Sequence, residues 1–244
     1  MTRDRLPAGL SRARLENMRR AGDEIRECHR VLEKGGLNIV GEILRGQGEF
    51  VEFDHYPRDD VFDADSHAQY YYHAHRGAEG EHGHFHTFLR APGMPAGIAP
   101  VPYAGAEPWP AGEAALSHLV AIAMDDYGYP TGLFTVNRWV TGDAWYAAAD
   151  VIRMLDFFRI DHANPSWPAN RWITAMLRLF RPQVEALILA RDAALADWMR
   201  SHPGEDVFED RELEITSHVA ISVEEQIAAV EAALGHFAPE RSMT

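Results

Sequence analysis

Histidines at alternate positions on both sides of a short glycine-containing segment constrain this chain more than any other feature. The 20 residues that end at His86 contain six histidines. His73 and His75 are two residues apart, and the same spacing relates His82, His84 and His86. Side chains two residues apart in a β-strand point to the same side, about 6.6 Å from each other. The pattern therefore predicts two strands, each of which presents its histidines on one side.

The intervening sequence RGAEGE predicts a turn that joins these strands into a hairpin. With Gly77–Gly80 as a four-residue loop, the cross-strand pairs are His75–His82, His73–His84 and Tyr71–His86. Facing side chains have Cβ atoms about 4.5–5.5 Å apart, so their imidazoles can reach one ion with bonds of about 2.0–2.1 Å. A loop one residue longer or shorter would send the two sets to opposite faces. The predicted metal ligands are His73, His75, His82, His84 and His86.

The nature of these ligands limits which metal they suit. Nitrogen donors favour a transition-metal ion such as Fe, Zn or Cu over Mg or Ca. A facial iron site normally adds a carboxylate, and Glu79 and Glu81 are the nearest candidates. Glu79 lies in the turn, and Glu81 precedes His82 and is expected to point to the opposite face. His118 or His218 is a further candidate ligand from another strand. A metal-free pocket and a plain histidine-rich surface remain the alternatives.

Two neighbours of the histidines are candidate catalytic residues. Tyr71 lies on the predicted histidine face, where it can donate a proton to a bound ligand or support a histidine. Arg90 is in phase with His86 and can bind a substrate carboxylate. The alternative interpretations are a tyrosine that fills a core and an arginine on the surface at the end of a strand.

Composition excludes several classes of partner. The formal net charge of −14 argues against nucleic acid and against an anionic membrane surface. No run of 18 apolar residues is present, and the N-terminal sequence lacks the pattern of a secretory signal. With Cys28 as the single cysteine, an intramolecular disulfide and a thiolate zinc site are excluded. We therefore expect a cytoplasmic protein that acts on a small molecule.

The order of periodic segments predicts an α+β fold in one domain over residues 1–244. Residues 10–45 are predicted as a helical segment, opened by Ser11 and stopped by Gly35 and Gly36. An antiparallel sheet or partial barrel of five to six strands, which includes the histidine hairpin, is predicted over residues 49–142. A helical region with one late strand is predicted over residues 143–235.

Three details of the predicted sheet depend on local patterns. GEFVEFDHYP alternates like a strand, and RDDVFDADS after it is typical of an acidic loop. Strands are expected at His118–Asp125 and Leu133–Thr141. The segment rich in Pro, Gly and Ala at 91–115 is interpreted as a long connection across the sheet or as a lid.

The sequence resembles two known families. The sequences DHYP, SHAQYYYHAHR, EHGHFHTFLR, LFTVNRWVTG and LFRPQVEAL resemble a family of uncharacterised bacterial proteins known only as a domain of unknown function, over about residues 10–235. This likeness implies a single structural unit and no activity. His73, His75 and Glu79 also resemble the first metal motif of cupins, which implies a β-barrel with appended helices. HGHFH replaces the lone later histidine of the cupin pattern.

The residues lead to three functional hypotheses. The first is a metal-dependent enzyme, with oxidoreductase chemistry favoured over hydrolysis because a nitrogen-rich site without thiolates leaves iron or copper open to ligands. The second is a metal-handling or accessory protein without turnover. The third is an enzyme in which the histidines act as acid and base without a metal.

Overall fold

The computed structural model describes residues 6–7, 9–74, 80–105 and 107–237. The α-helices of this part are α1 (Arg12–Glu33), α2 (Ile39–Leu44), α3 (Arg138–Thr141), α4 (Ala148–Met154), α5 (Trp167–Leu179), α6 (Arg181–Ser201) and α7 (Val223–Gly235). The strands are β1 (Tyr56–Phe62), β2 (Ala68–His73), β3 (Gly83–Arg90), β4 (Leu116–Met124), β5 (Pro130–Val136) and β6 (Ile215–Ala220). None of the described helices has the length and apolar character needed to cross a membrane.

All six strands form one sheet in chain order, and each pairs antiparallel with its neighbour. The predicted α+β class, with helices at both ends of the chain, is confirmed. Within the described residues β1 and β6 are the edges of an open sheet. The barrel implied by the cupin resemblance is therefore not the arrangement of these strands.

The N-terminal helices form where the capping residues predict them. Ser11 caps α1 by accepting a hydrogen bond from the Arg14 amide, and Asn38 caps α2 through the Gly41 amide. The predicted apolar side of α1 is buried, including Leu15 and Ile25. This stripe packs α1 along α5, so that the two helices are neighbours in the fold.

The first strand lies later in the chain than its alternation predicts. The prediction placed it at GEFVEFDHYP, whereas β1 begins at Tyr56 and takes in part of the predicted acidic loop. Pairing with β2 buries Tyr56 and Val61 in the core, while Phe50, Val51 and Phe53 are exposed. Burial therefore decided where the strand begins, because Tyr56 and Val61 enter the core whereas the alternating residues before them stay on the surface.

The predicted strand Leu133–Thr141 is also shorter than expected. β5 ends at Val136, and Asn137 then caps the short helix α3 through the Arg138 amide. The Asn137 amide group donates to the Val207 carbonyl at 2.7 Å, which holds this change of direction. Propensity alone favoured a continuous strand, and a capping side chain with a distant partner ended it.

The segment at 91–115 is packed against the rest of the protein around Val101, Tyr103 and Trp109. The Val101 amide donates to the Trp145 carbonyl, and Tyr103 stacks on Trp109 at 4.1 Å between ring centroids. Trp109 and Trp145 join a small apolar cluster with Phe208. This agrees with the interpretation of a long connection.

Alternation along β2 and β3 separates two buried faces of the sheet. Tyr70, Tyr72 and Phe85 belong to the main core, where Phe85 contacts Trp172 of α5 at 5.6 Å. The side chains between them point to the other face. That second face carries the histidines.

Candidate metal centre

The hairpin has the register that the four-residue loop predicts. His73 faces His84 and Tyr71 faces His86 across β2 and β3. The loop itself, with His75 and Glu79, lies outside the described residues. The paired positions nevertheless confirm that His73, His84 and His86 occupy one face, because a shift of one residue would have separated them.

Three of the predicted ligands come together in the protein interior. The Nε2 atoms of His73 and His84 are 2.8 Å apart, and the His86 ring lies 5.1 Å and 4.9 Å from their centroids. One ring nitrogen from each of the three lies within 4.8 Å of the others, an arrangement that could hold a metal ion. His84 and His86 are fully buried, and His73 is 8% exposed.

Glu81 fixes the orientation and tautomer of His84. Its Oε1 is 2.6 Å from His84 Nδ1. A carboxylate oxygen accepts hydrogen bonds, so Nδ1 carries the proton and the Nε2 lone pair of His84 faces His73. The expectation that Glu81 points away from the histidines is wrong. β3 begins only at Gly83, so strand alternation does not extend back to Glu81.

His118 adds a fourth imidazole from β4. Its Nε2 lies 3.0 Å from His86 Nδ1. A register shift between Thr87 and Phe88 pairs Phe88 with His118, and these two rings lie 5.3 Å apart. Burial lowers the pKa of His118 to about 3, so its ring is neutral over the physiological range.

Small and aromatic side chains surround the three histidines. Ala121 and Ala123 of β4 face His86 and His84 with small side chains. Phe134 of β5 lies 5.2 Å from the His84 ring, and Tyr71 lies 5.3 Å from His73 and 5.2 Å from His86. These walls are mostly apolar, so the ring nitrogens are the polar atoms that a ligand would meet here.

The other two histidines considered from the sequence are placed differently. His82 precedes β3, and its Nδ1 lies 2.5 Å from the hydroxyl of Tyr72, a residue of the main core. Its ring also contacts Phe50 at 5.7 Å, so it lies with side chains of the opposite face. His218 is exposed on the edge strand β6, where it faces Phe134.

Arg90 has other partners than a substrate in this structure. Its Nε donates to Gln69 Oε1 at 2.6 Å, and its guanidinium lies 5.5 Å from the centre of the Phe62 ring. Gln69 in turn donates to Asp60 Oδ2 at 2.6 Å. Arg90 therefore begins a polar chain toward β1, and its predicted catalytic role stays a prediction.

That polar chain ends at His55, a residue that sequence reasoning did not single out. His55 Nδ1 lies 3.0 Å from Asp60 Oδ1, and its ring stacks on Tyr71 with 3.6 Å between centroids and 10° between planes. The His73 ring is 5.8 Å away, nearly perpendicular to it. No local spacing signals this contact, because it depends on how β1 pairs with β2.

Comparison with known proteins shows the family. The profile of the family described as "Domain of unknown function (DUF6969)" matches residues 19–221, well over half of the chain. The chain belongs to this family. No curated protein and no solved structure matches it. The matched range contains the four buried histidines and also His55 and Glu81, and the family description assigns no activity to them.

Proposed function

We propose that this protein binds one first-row transition-metal ion through His73, His84 and His86 and uses it as an enzyme on a small molecule. One observation carries the proposal. Two Nε2 atoms converge at 2.8 Å, and the carboxylate of Glu81 lies behind one of their rings. A histidine that ligates a metal typically donates its other N–H to such a partner. In the metal-free protein, His73 Nε2–H donates to His84 Nε2.

The nitrogens of His73 and His84 are spaced to share a metal ion without rebuilding the hairpin. Two nitrogen ligands with bonds of about 2.0–2.1 Å lie about 2.9 Å apart at a right angle and about 3.3 Å apart at the tetrahedral angle. The observed 2.8 Å separation is close to the first value and a small ring rotation from the second. Three protein ligands also leave a coordination position for water or substrate, as in catalytic sites.

Burial supports an enzyme over a metal buffer. A buffer benefits from ligands that face solvent and exchange readily, whereas His84 and His86 are fully buried. The phenyl and phenol rings of Phe134 and Tyr71 exclude bulk water from the same space. A bound metal would supply Lewis-acid or redox chemistry there. We favour redox over hydrolysis because all proposed ligands are nitrogens and iron or copper accepts such a set.

The protein's own residues would bind and orient the reactants. Tyr71 lies against two of the proposed ligands, and burial, the Asp60 carboxylate and Asp143 raise the pKa of its hydroxyl. A phenol held in its protonated form is a hydrogen-bond donor toward a ligand of the metal. A small-molecule substrate and a cytoplasmic location remain expectations from the sequence.

Elemental analysis of protein purified without a histidine tag tests the proposal. We expect about one transition-metal ion per wild-type chain after reconstitution, and less than about 0.3 per chain in His84→Ala. His218→Ala is the matched control, because it removes an exposed histidine from the same sheet and should retain the metal. Wild-type protein with less than about 0.3 ion per chain contradicts the proposal.

A further inference from the structure

His55 is the solvent-facing histidine beside an otherwise buried group. Its side chain is 41% exposed, whereas His73 is 8% exposed and His84 and His86 are fully buried. The ring distances form a continuous series from the surface inward: 5.8 Å from His55 to His73, then 4.6 Å from His73 to His84. An ion that reaches His84 and His86 needs such a route, since these two residues have no direct contact with solvent.

The surroundings of His55 prepare one nitrogen to bind a cation. Asp60 Oδ1 accepts from Nδ1–H at 3.0 Å, which leaves the lone pair on Nε2. Stacking on Tyr71 fixes the plane of the ring. The histidine is thus held in the tautomer and orientation that metal-ligating histidines have, without belonging to the triad.

Asp60 is itself held in place from several directions. Its second oxygen accepts from Gln69, and Gln69 accepts from Arg90 on β3. The backbone of Asp60 has a φ of 55°, a left-handed conformation that costs energy for a residue other than glycine. Such strain persists where the surrounding contacts enforce it, and it is common at functional sites.

The charge around His55 also favours cations. Three exposed carboxylates lie within four residues of it in the chain: Glu52, Asp54 and Asp59. The protein as a whole carries a formal charge of −14. A negative surface potential raises the local concentration of cations and the rate at which they bind.

We propose that His55, oriented by Asp60, is a transient ligand that captures a divalent transition-metal ion from solvent and passes it to His73. This inference rests on the proposed metal site. The ion exchanges water for His55 and then His55 for the buried nitrogens, and the proton on His73 Nε2 moves to Nδ1 of the same ring as Nε2 becomes a ligand. A transient ligand speeds binding and release equally, because it stabilises a state between solvent and the final site.

Stopped-flow binding of Co²⁺ tests this role through the visible absorption of the bound ion. In His55→Ala we expect association, and release to excess EDTA, to slow by about tenfold each, since loss of a carboxylate partner alone weakens a histidine ligand about 10- to 100-fold. Stoichiometry and dissociation constant should match the wild type. Asp60→Asn should slow both rates in the same direction, and His218→Ala should change neither.

Two results would overturn the inference while leaving the metal site intact. Unchanged rates in His55→Ala would show that ions reach the triad by another route. A larger dissociation constant with an unchanged association rate would show that His55 remains bound to the ion as a permanent ligand. Wild-type protein that binds no Co²⁺ would instead overturn the proposed function, and this inference with it.

Discussion

The two faces of the β2–β3 hairpin are similarly buried, yet the polar side chains on each face have different kinds of hydrogen-bond partner. On the helix-covered face, Tyr70 donates to Asn170 Oδ1 at 2.6 Å, and Phe85 packs against Trp172. On the other face, the ring nitrogens of His73 and His84 meet each other at 2.8 Å. The first face is explained by folding, since the Tyr70 hydroxyl has a polar partner and the rings fill the main core.

The histidine face contains polar groups that folding alone does not need. Alternate positions in the same strands show that phenylalanine and tyrosine can fill an interior of this kind. Burying an imidazole costs free energy unless its nitrogens are bound, so hydrophobic residues would stabilise this face more. From this comparison we infer that the helix-covered face supports the fold, whereas the histidine face could hold a metal ion.

The largest effect should come from the helix-covered face. Phe85→Ala removes a fully buried ring and should lower the free energy of unfolding by about 3–5 kcal/mol. The loss should be the same with EDTA as with Zn²⁺, because Phe85 faces away from the histidines. Urea denaturation under both conditions measures it. A loss that depends on the metal would break the distinction between the faces.

A change at His84, which precedes Phe85 in the chain, should affect stability by an amount that depends on the metal ion. Zn²⁺ at 100 times its dissociation constant should stabilise the wild type by about 2.7 kcal/mol, and His84→Ala should remove most of this gain. Thermal unfolding with and without Zn²⁺ measures the difference, and His218→Ala serves as the control. Equal stabilisation of wild type and His84→Ala would show that the ion binds elsewhere.

Tyr70→Phe examines hydrogen bonding on the helix-covered face. Loss of the hydroxyl leaves Asn170 Oδ1 without its buried donor and should cost about 1–2 kcal/mol near neutral pH. Burial raises the pKa of Tyr70. The folded protein therefore keeps a proton that the unfolded chain releases above about pH 10, and stability falls as pH rises through that range. In Tyr70→Phe, the free energy of unfolding should fall less steeply as the pH rises through this range. Denaturation at several pH values measures it, and the same pH dependence as in the wild type would contradict the prediction.

The smallest effect should come from the turn that joins β1 and β2, which belongs to neither face. Burial raises the pKa of Asp63, but hydrogen bonds from Ser66 and from the Asp65 amide outweigh it, so the pKa is lower than usual. Its stabilisation is present above the unfolded pKa and is lost as pH falls through the folded value. In Asp63→Asn, the free energy of unfolding should fall by about 1 kcal/mol less than in the wild type when the pH is lowered from 6 to 3. Identical acid unfolding of both proteins would exclude this role.

Local signals predicted much of the fold and the centre of the site. Capping by Ser11, the helix that it begins and the hairpin register all follow from short-range patterns. The period of two in a strand was sufficient to bring His73, His84 and His86 to one face. These features depend on residues close together in the chain.

Contacts between distant segments were not predictable in the same way. The start of β1, and with it the position of His55, depends on which residues the core buries when β1 pairs with β2. The reach of Glu81 to His84 depends on where β3 begins. The sequence offered His118 and His218 as alternative further ligands. The register shift between β3 and β4 places His118, and not His218, beside His86.

Binding of a metal ion by the histidine face is tested most directly by anomalous scattering from crystals grown with Zn²⁺, recorded on both sides of the zinc absorption edge. We expect a single strong peak in contact with the ring nitrogens of His73, His84 and His86, at about 2.0–2.1 Å. A well-ordered hairpin without a peak between these rings, or with the zinc bound only by other residues, would contradict it.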